Sequence, residues 1–186
     1  MISFNKEIVS ALEKKRCKAK SITIEENNII YVQQKNKELG YVGSPTRIDS
    51  KIIRNLIKED FIPIITPMGI DEKGQAYNIN ADTAAGALAT NLKSRRLLLM
   101  TDVEGVYDKN KKLISEIKLT EAEKLLYDGT ISEGMIPKVR TCINTIENGV
   151  RGVVIIDGRK PHSILFELFS DQGAGTLIRK WRDSSQ

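Results

Sequence analysis

The chain has 186 residues, of which 40% are hydrophobic and 28% charged, a composition typical of a globular protein with one domain or two small lobes. Its formal charge of +5 lies mainly in residues 1–60, where 12 Lys or Arg face 8 Asp or Glu. Since those lysines alternate with glutamates, we expect a solvated surface and no nucleic-acid partner. The sequence has no run of ~18 apolar residues and no apolar leader, so we expect no membrane partner and a cytoplasmic location, or the stroma of a plastid.

The cysteines and the histidine argue against two kinds of site. Cys17 and Cys142 lie far apart without CxxC spacing, and His162 is the single histidine. This pattern predicts neither a disulfide framework nor a zinc site. We therefore expect a reducing compartment and no resident metal.

The first elements of the chain are predicted from apolar spacing. Residues 4–15 carry apolar side chains at helical intervals, which predicts an amphipathic helix. Two strands are expected at 19–24 and 29–32. The polar residues 25–28 between them predict a hairpin-like turn.

The next segment is predicted to hold a loop, a helix and a buried strand. Residues 40–46 have loop composition, and Asp49 is expected to cap a helix that ends near Glu59. The continuous apolar run of residues 61–66 predicts a strand buried on both faces. Residues 71–74 are predicted to form a turn.

The remaining elements alternate between helix and strand. Helices are predicted over 81–92, 120–129, 136–147 and 163–169, the second of them opened by a capping box at Thr120, and strands over 97–101, 153–156 and 176–178. This alternation predicts an α/β fold with a doubly wound, mostly parallel sheet.

Three polar residues surround the start of the alanine-rich helix. Asn80 and Asp82 suit helix capping, because an amide oxygen accepts backbone donors and a carboxylate favours the positive helix end. Asn78 is not needed for capping. Its side chain is suited to bind a carboxylate or an amide of a small ligand, although a structural role stays open.

Two further segments could contact a phosphorylated ligand. Residues 101–108 form a polar loop after a buried strand, where ligands of open α/β sheets bind, although an ordinary connecting loop is also possible. Lys138 lies in the first turn of a predicted helix. A cation there is unfavourable by less than ~1 kcal/mol unless an anion is bound. This placement favours a phosphate ligand.

Five short segments occur in a fixed order: Leu39-Gly40-Tyr41-Val42-Gly43, Asn78-Ile79-Asn80-Ala81-Asp82, Thr101-Asp102-Val103-Glu104-Gly105-Val106, Gly134-Met135-Ile136-Pro137-Lys138-Val139 and Gly173-Ala174-Gly175-Thr176. In this order they resemble the acetylglutamate kinases of the amino acid kinase family. The resemblance implies a three-layer α/β sandwich with a mostly parallel open sheet. Residues 1–92 would form part of a lobe that binds the acylamino acid, and residues 93–186 a nucleotide-binding lobe.

The resemblance also implies an activity and its residues. It implies phosphorylation of the side-chain carboxylate of N-acetylglutamate in arginine biosynthesis, with ATP and Mg²⁺ as co-substrate. Asn78 would bind acetylglutamate, Asp82 would orient the catalytic lysines, and Lys138 would stabilise the transferring phosphoryl group. The ATP site would be lined by Asp102, Val103, Glu104, Gly105, Val106, Tyr107, Thr130, Ile131, Ser132 and Met135.

Members of that family begin with a strand, a lysine and a glycine-rich loop, and they carry a substrate-binding arginine further on. This sequence starts after the positions of all these features. We therefore expect an N-terminally truncated form of the fold, with little phosphotransfer activity and with a sheet edge that favours a homo-oligomer.

Two other functions stay open at this stage. A kinase for carrier-bound aminoadipate or glutamate would use a similar scaffold, and Asn78 does not separate it from an acetylglutamate kinase. The second is a non-catalytic nucleotide-binding or regulatory protein that assembles with a longer kinase.

Overall fold

The computed structural model describes residues 1–180, except for the side chain of Glu133. The chain forms two compact units, Met1–Leu92 and the residues from Lys93 onward. No helix in the described part is both long and apolar enough to cross a membrane. The binding roles expected of the two lobes remain predictions.

The first unit contains three helices and six strands among its described elements. They are α1 (Ile2–Lys14), β1 (Ala19–Ile22), β2 (Ile30–Gln34), a short 3-10 helix (Lys37–Leu39), β3 (Gly43–Ile48), α2 (Lys51–Lys58), β4 (Ile62–Ile65), β5 (Met68–Ile70), β6 (Ala76–Asn78) and α3 (Ala81–Leu92). Strands β1 and β4 form a two-stranded parallel sheet, and the other four strands form a sheet in the order β3-β2-β5-β6.

The predicted hairpin between the first two strands is wrong. Strand β1 pairs in parallel with β4, with Ala19 opposite Ile62 and Ile22 opposite Ile65, whereas β2 belongs to the other sheet. The physical reason lies in residues 25–28, which contain no glycine. Tight hairpin turns need positive backbone φ angles that glycine supplies most easily.

Strand β3 occupies residues that the sequence predicted to be a loop. It is an edge strand, and it pairs antiparallel with β2 with a bulge between Tyr31 and Val32. An edge position tolerates Pro45, which has no N–H to donate. Gly43 is needed because an added Cβ would lie 2.9 Å from the Cβ atoms of Val32 and Tyr77.

Two other expectations for this unit need correction. Asp49 is not the capping residue of α2, since that position is Ser50, but the Asp49 carboxylate does accept a hydrogen bond from Lys51 N at 3.1 Å. Strand β4 is not buried on both faces, because Ile62 is 44% exposed. It belongs to a sheet of two strands, which leaves its other edge without a partner strand within residues 1–180.

The turn predicted at residues 71–74 is confirmed, and it joins two strands that the sequence did not reveal. Gly74 N donates to Asp71 O at 3.1 Å, and the Asp71 carboxylate accepts from Lys73 N and Gln75 N at 2.9 Å each. Strands β5 and β6 have three residues each. Such short strands give too little alternation to be recognised.

The second unit contains β7 (Arg96–Thr101), β8 (Glu116–Lys118), α4 (Leu119–Tyr127), a 3-10 helix (Glu133–Met135), α5 (Ile136–Glu147), β9 (Gly152–Asp157), α6 (Ser163–Phe169) and β10 (Gly175–Arg179). Its strands lie in the order β7-β9-β10-β8. Strand β9 is parallel to β7 and antiparallel to β10, and all its residues are buried. The predicted capping box at Thr120 is wrong, because α4 begins one residue earlier and its cap, Lys118, makes no side-chain capping bond.

The sheets are open, and helices accompany strands in both units, so the predicted α/β class is confirmed. The cores are aliphatic, as in the group Ile22, Ile30, Ile53 and Ile79 of the first unit. Each such side chain stabilises the fold by roughly 1.5–3 kcal/mol when fully buried. The two cysteines form no disulfide, and Cys142 of α5 is buried while Cys17 is partly exposed.

Candidate functional site

The second unit has an open cavity of about 740 Å³ between the loop that follows β7 and the loop that follows α4. This volume is within the range of small-molecule sites. The cavity is lined by Gly105, Val106, Tyr107, Asp108, Lys109, Lys111, Asp128, Gly129, Thr130, Ile131, Ser132 and Met135.

One wall of the cavity is a short hairpin whose conformation is fixed by hydrogen bonds. Ile114 N donates to Val106 O at 2.9 Å. At the tip, the Asp108 carboxylate accepts from Asn110 N at 2.8 Å and from Lys112 N at 2.9 Å. Aspartate favours such turns because its side chain replaces a backbone acceptor. The wall is therefore held by hydrogen bonds within the hairpin itself.

The other wall begins at Asp128, directly after α4. Its carboxylate accepts a hydrogen bond from Thr130 N at 3.0 Å and also binds the Thr130 hydroxyl. The Lys109 ammonium lies 3.1 Å from the second oxygen of this carboxylate. The Thr130 hydroxyl and the Lys109 ammonium lower the pKa of Asp128 from its usual value. Lys109 thus links the two walls through an ion pair.

The base of the hairpin is attached to strand β10 by a buried hydroxyl. Val106 N donates to Thr176 Oγ1 at 2.8 Å, and this hydroxyl donates to Ile114 O at 2.6 Å. Thr176 is fully buried. Gly105 has φ +154°, and a Cβ added there would lie 2.3 Å from Thr176 Oγ1.

Helix α5 begins next to the cavity. Met135 lines the cavity and is also the N-cap residue of α5. Lys138 is the third residue of this helix, is half-buried, and follows Pro137 in the first turn, which contains no acidic residue. The N–H groups of this turn and the helix dipole favour an anion, as does the lysine.

A charged cluster lies at the carboxyl ends of β7 and β9. The Asp157 carboxylate accepts two bonds from the Arg159 guanidinium at 3.0 Å and one from Arg159 N at 2.9 Å, and these bonds lower the pKa of Asp157 to about 2. Glu104 binds the Lys160 ammonium and the Tyr107 hydroxyl, and both interactions lower its pKa.

Sequence reasoning missed several of these residues. It placed Asp108 in the candidate loop 101–108 without a role of its own, and it did not single out Asp128, Lys109 or the pair Asp157 and Arg159. A usable signal existed for Asp157, because it ends the buried strand β9 opposite Thr101, the last residue of β7 before Asp102, and both strand ends meet at one edge. No comparable signal marked Lys109, whose role depends on the folded loop.

Seven of the ten residues assigned to the nucleotide by resemblance line the cavity, namely Gly105, Val106, Tyr107, Thr130, Ile131, Ser132 and Met135. Asp102, Val103 and Glu104 precede this group in the same loop and are not among the lining residues. Lys138 does not line the cavity either. The assignment of these residues to a nucleotide remains a prediction.

A second cavity of about 580 Å³ lies at the opposite edge of the same sheet, near the starts of β7 and β9. Its lining includes the basic residues Arg95, Arg96, Arg151, Arg179 and Lys180. None of the residues predicted for substrate or nucleotide belongs to this lining.

The candidate substrate residues lie in the first unit. Asn78 ends β6, and its exposed side chain makes no hydrogen bond within residues 1–180, while its backbone N donates to Tyr41 O at 2.9 Å. Asn80 Oδ1 accepts from Thr83 N at 3.1 Å, so the predicted capping by Asn80 is confirmed. Asp82 is the second residue of α3 and is half-buried.

The part of the chain that the structure describes has no group of three or more His, Cys, Asp or Glu side chains placed to hold a metal ion. In the second unit, the carboxylates of Glu104, Asp128 and Asp157 bind lysine, arginine or backbone N–H groups.

Comparison with protein families gives one match. The sequence model of the amino acid kinase family matches residues 1–157. This range includes every residue that the sequence assigned to substrate, catalysis or nucleotide.

Curated relatives share this similarity. The acetylglutamate kinase of Pelagibacter ubique (strain HTCC1062) is 56% identical over 180 residues, which cover 97% of this chain and 62% of the relative. The acetylglutamate kinase of Bradyrhizobium sp. (strain ORS 278) is 55% identical over 147 residues, covering 79% of this chain and 49% of the relative. The chain thus spans about half to two thirds of the length of these relatives.

Among solved structures, smu.665 from Streptococcus mutans UA159 superposes with a TM-score of 0.79 at 28% identity. The superposition covers 94% of this chain and 66% of that one.

Proposed function

The chain belongs to the amino acid kinase family, and on this premise we propose that it acts in the ATP-dependent phosphorylation of the side-chain carboxylate of N-acetylglutamate, a step of arginine biosynthesis. The observation that carries the proposal is the 56% identity, over 97% of the chain, to an acetylglutamate kinase. The alignment extends through both units.

The second unit would bind ATP. Its cavity lies beside the first turn of α5, so a nucleotide held by the two walls would direct its phosphates toward that helix end. Mg²⁺ would arrive with ATP as part of the co-substrate. Lys138 would stabilise the charge that develops on the phosphoryl oxygens during transfer.

The first unit would bind the acceptor. The exposed Asn78 carboxamide can donate to a carboxylate or accept from an acetamido N–H. An oxygen of the substrate's side-chain carboxylate would attack the γ-phosphorus, and the bond from that phosphorus to the bridging oxygen would break. The products are an acyl phosphate and ADP. Asp82 would orient the lysines that surround this step.

The test is a hydroxamate assay of the full 186-residue chain with Mg-ATP and a panel of acceptors. We expect an acyl phosphate to form slowly with N-acetylglutamate and not at all with carrier-bound glutamate or aminoadipate. If product forms with a carrier-bound acceptor instead, that acceptor is the substrate and N-acetylglutamate is not. ADP binding in calorimetry without turnover on any acceptor would contradict a kinase and favour a nucleotide-binding regulatory protein.

A further inference from the structure

We propose that Thr176 is a positioning residue for the nucleotide site, because its hydroxyl closes the base of the hairpin that forms one wall of the cavity. The inference rests on the proposed nucleotide-binding function. Thr176 is the second residue of β10 and does not line the cavity itself. Its effect on a ligand would therefore be indirect.

Three hydrogen bonds form a closed ring at this point. Val106 N donates to the Thr176 hydroxyl at 2.8 Å, the hydroxyl donates to Ile114 O at 2.6 Å, and Ile114 N donates to Val106 O at 2.9 Å. One side chain thus joins both strands of the hairpin. A hydroxyl can do this because it donates and accepts at the same time.

Two glycines permit the close approach that the ring needs. A Cβ on Gly105 would lie 2.3 Å from Thr176 Oγ1, and a Cβ on Gly175 would lie 2.0 Å from Ile155 O and 3.1 Å from Glu104 O. The backbone of the Gly105 loop therefore lies directly against the backbone of β10. Gly105 thus gives the loop room against Thr176, and Gly175, the first residue of β10, gives that strand room against Ile155 of β9.

The bond between Val106 and Thr176 is also buried. Thr176 is 0% exposed and Val106 3% exposed, so water cannot easily replace the hydroxyl. Without it, Val106 N would lose its partner in a buried place, which is unfavourable. The hairpin would then open part of the time, and the apparent nucleotide affinity would fall with the fraction of closed molecules.

The experiment compares Thr176→Val, which has the same shape without the hydroxyl, with Thr176→Ser, which keeps both hydrogen bonds. Thr145→Val is the matched control. Thr145 is also buried in the second unit, and its hydroxyl donates to Thr141 O at 2.7 Å within α5. All variants are made in the full chain, and amide hydrogen exchange and ADP titration are measured.

We expect Thr176→Val to accelerate exchange of residues 105–114 and to weaken ADP binding about tenfold, as the loss of one hydrogen bond implies. Thr176→Ser should behave as the wild type in both measurements. Thr145→Val should leave the exchange of this segment unchanged.

Two results would overturn the inference: unchanged exchange of residues 105–114 in Thr176→Val, or faster exchange in Thr176→Ser, which would assign the effect to the lost methyl group. If Thr176→Val fails to fold, Thr176→Ala takes its place, because it differs from Thr176→Ser only by the hydroxyl. Absence of ADP binding by the wild type would contradict the proposed function, and the exchange data would still decide whether Thr176 holds the hairpin.

Discussion

The two units differ in how they satisfy their buried polar side chains. In the second unit the hydroxyls of Thr145 and Thr176 each have a hydrogen-bond partner, and the buried carboxylates of Asp157 and Glu167 bind arginine. In the first unit five buried side-chain atoms have none within residues 1–180: Asn5 Oδ1, Ser21 Oγ, Thr23 Oγ1 and both polar atoms of Asn28. The second unit is therefore preorganised around its cavity, while the first has unused hydrogen-bonding capacity.

This difference between the units suits the ligands proposed for them, a nucleotide in the second unit and the phosphoryl acceptor in the first. A preorganised wall lowers the cost of binding a large ligand such as a nucleotide, because little has to be ordered on binding. Exposed, unpaired groups such as the Asn78 side chain can instead form their hydrogen bonds with the acceptor.

The largest expected effect tests whether chemistry depends on the second unit. Lys138→Ala should lower the phosphotransfer rate by about 10²–10³, the usual loss for one donor that stabilises developing charge. Arg140→Ala is the control, because Arg140 is an exposed cation of the same helix. Equal rates for both variants in the hydroxamate assay would remove Lys138 from the mechanism.

The fixed conformation of the hairpin wall can be disrupted by a substitution at Gly105. Gly105→Ala should lower the free energy of unfolding by about 2–3 kcal/mol, because the new methyl group has no room against Thr176. Gly129→Ala is the control, since Gly129 also has positive φ but no atom within 4 Å of an added Cβ, and should cost about 1 kcal/mol. Denaturant unfolding measures both. Equal losses of unfolding free energy in the two variants would show that a methyl group at Gly105 finds room next to Thr176 of β10.

In the first unit, two neighbouring asparagines should separate binding from stability. Asn80→Ala should cost about 1 kcal/mol, because α3 loses the bond to Thr83 N. Asn78→Ala should leave the melting temperature unchanged and raise the KM for N-acetylglutamate. A destabilised Asn78→Ala with unchanged KM would show that Asn78 serves the fold.

The pH dependence of stability should reveal the pair of Asp157 and Arg159. Its guanidinium holds the pKa of Asp157 at about 2, whereas an unperturbed aspartate has ~3.9. The pair thus contributes fully above pH ~4 and loses its contribution as the pH falls toward about 2. In thermal melts between pH 2 and 5, Asp157→Asn should flatten this part of the curve.

The smallest effect concerns an unsatisfied hydroxyl of the first unit. Thr23 is 2% exposed, and its Oγ1 has no partner within the described residues. Thr23→Val should leave the free energy of unfolding within ~0.5 kcal/mol of the wild type or raise it by up to about 1 kcal/mol. Thr145→Val, which breaks a hydrogen bond, should lower it. An equal loss of unfolding free energy in Thr23→Val and Thr145→Val would show that the two units do not differ in how they satisfy their buried hydroxyls.

Long periodic segments were predictable from the sequence, and close approaches of the backbone were not. Helices α3, α5 and α6 have the predicted bounds, and in α3 and α5 the apolar spacing is sustained over three turns. Strand β3 was missed because Gly43 and Pro45 are typical of loops, and only its edge position and its packing against Val32 explain them. The pairing of β1 with β4 joins residues about 43 apart, which local patterns do not encode.

The candidate site shows the same limit. The loop after β7 was identifiable because it follows a buried strand, and Lys138 because a cation is unusual in the first turn of a helix. Thr176 was not, because its partners Val106 and Ile114 are 70 and 62 residues away in sequence.

The positions of the two thiols make each unit separately observable. Cys17 belongs to the first unit and is partly exposed, whereas Cys142 belongs to the second and is fully buried in α5. A thiol-specific reagent should therefore modify Cys17 in the native protein and reach Cys142 only when the second unit opens. The rate of the second modification would report the opening of that unit in unaltered protein, and a nucleotide that binds there should slow it in proportion to its occupancy.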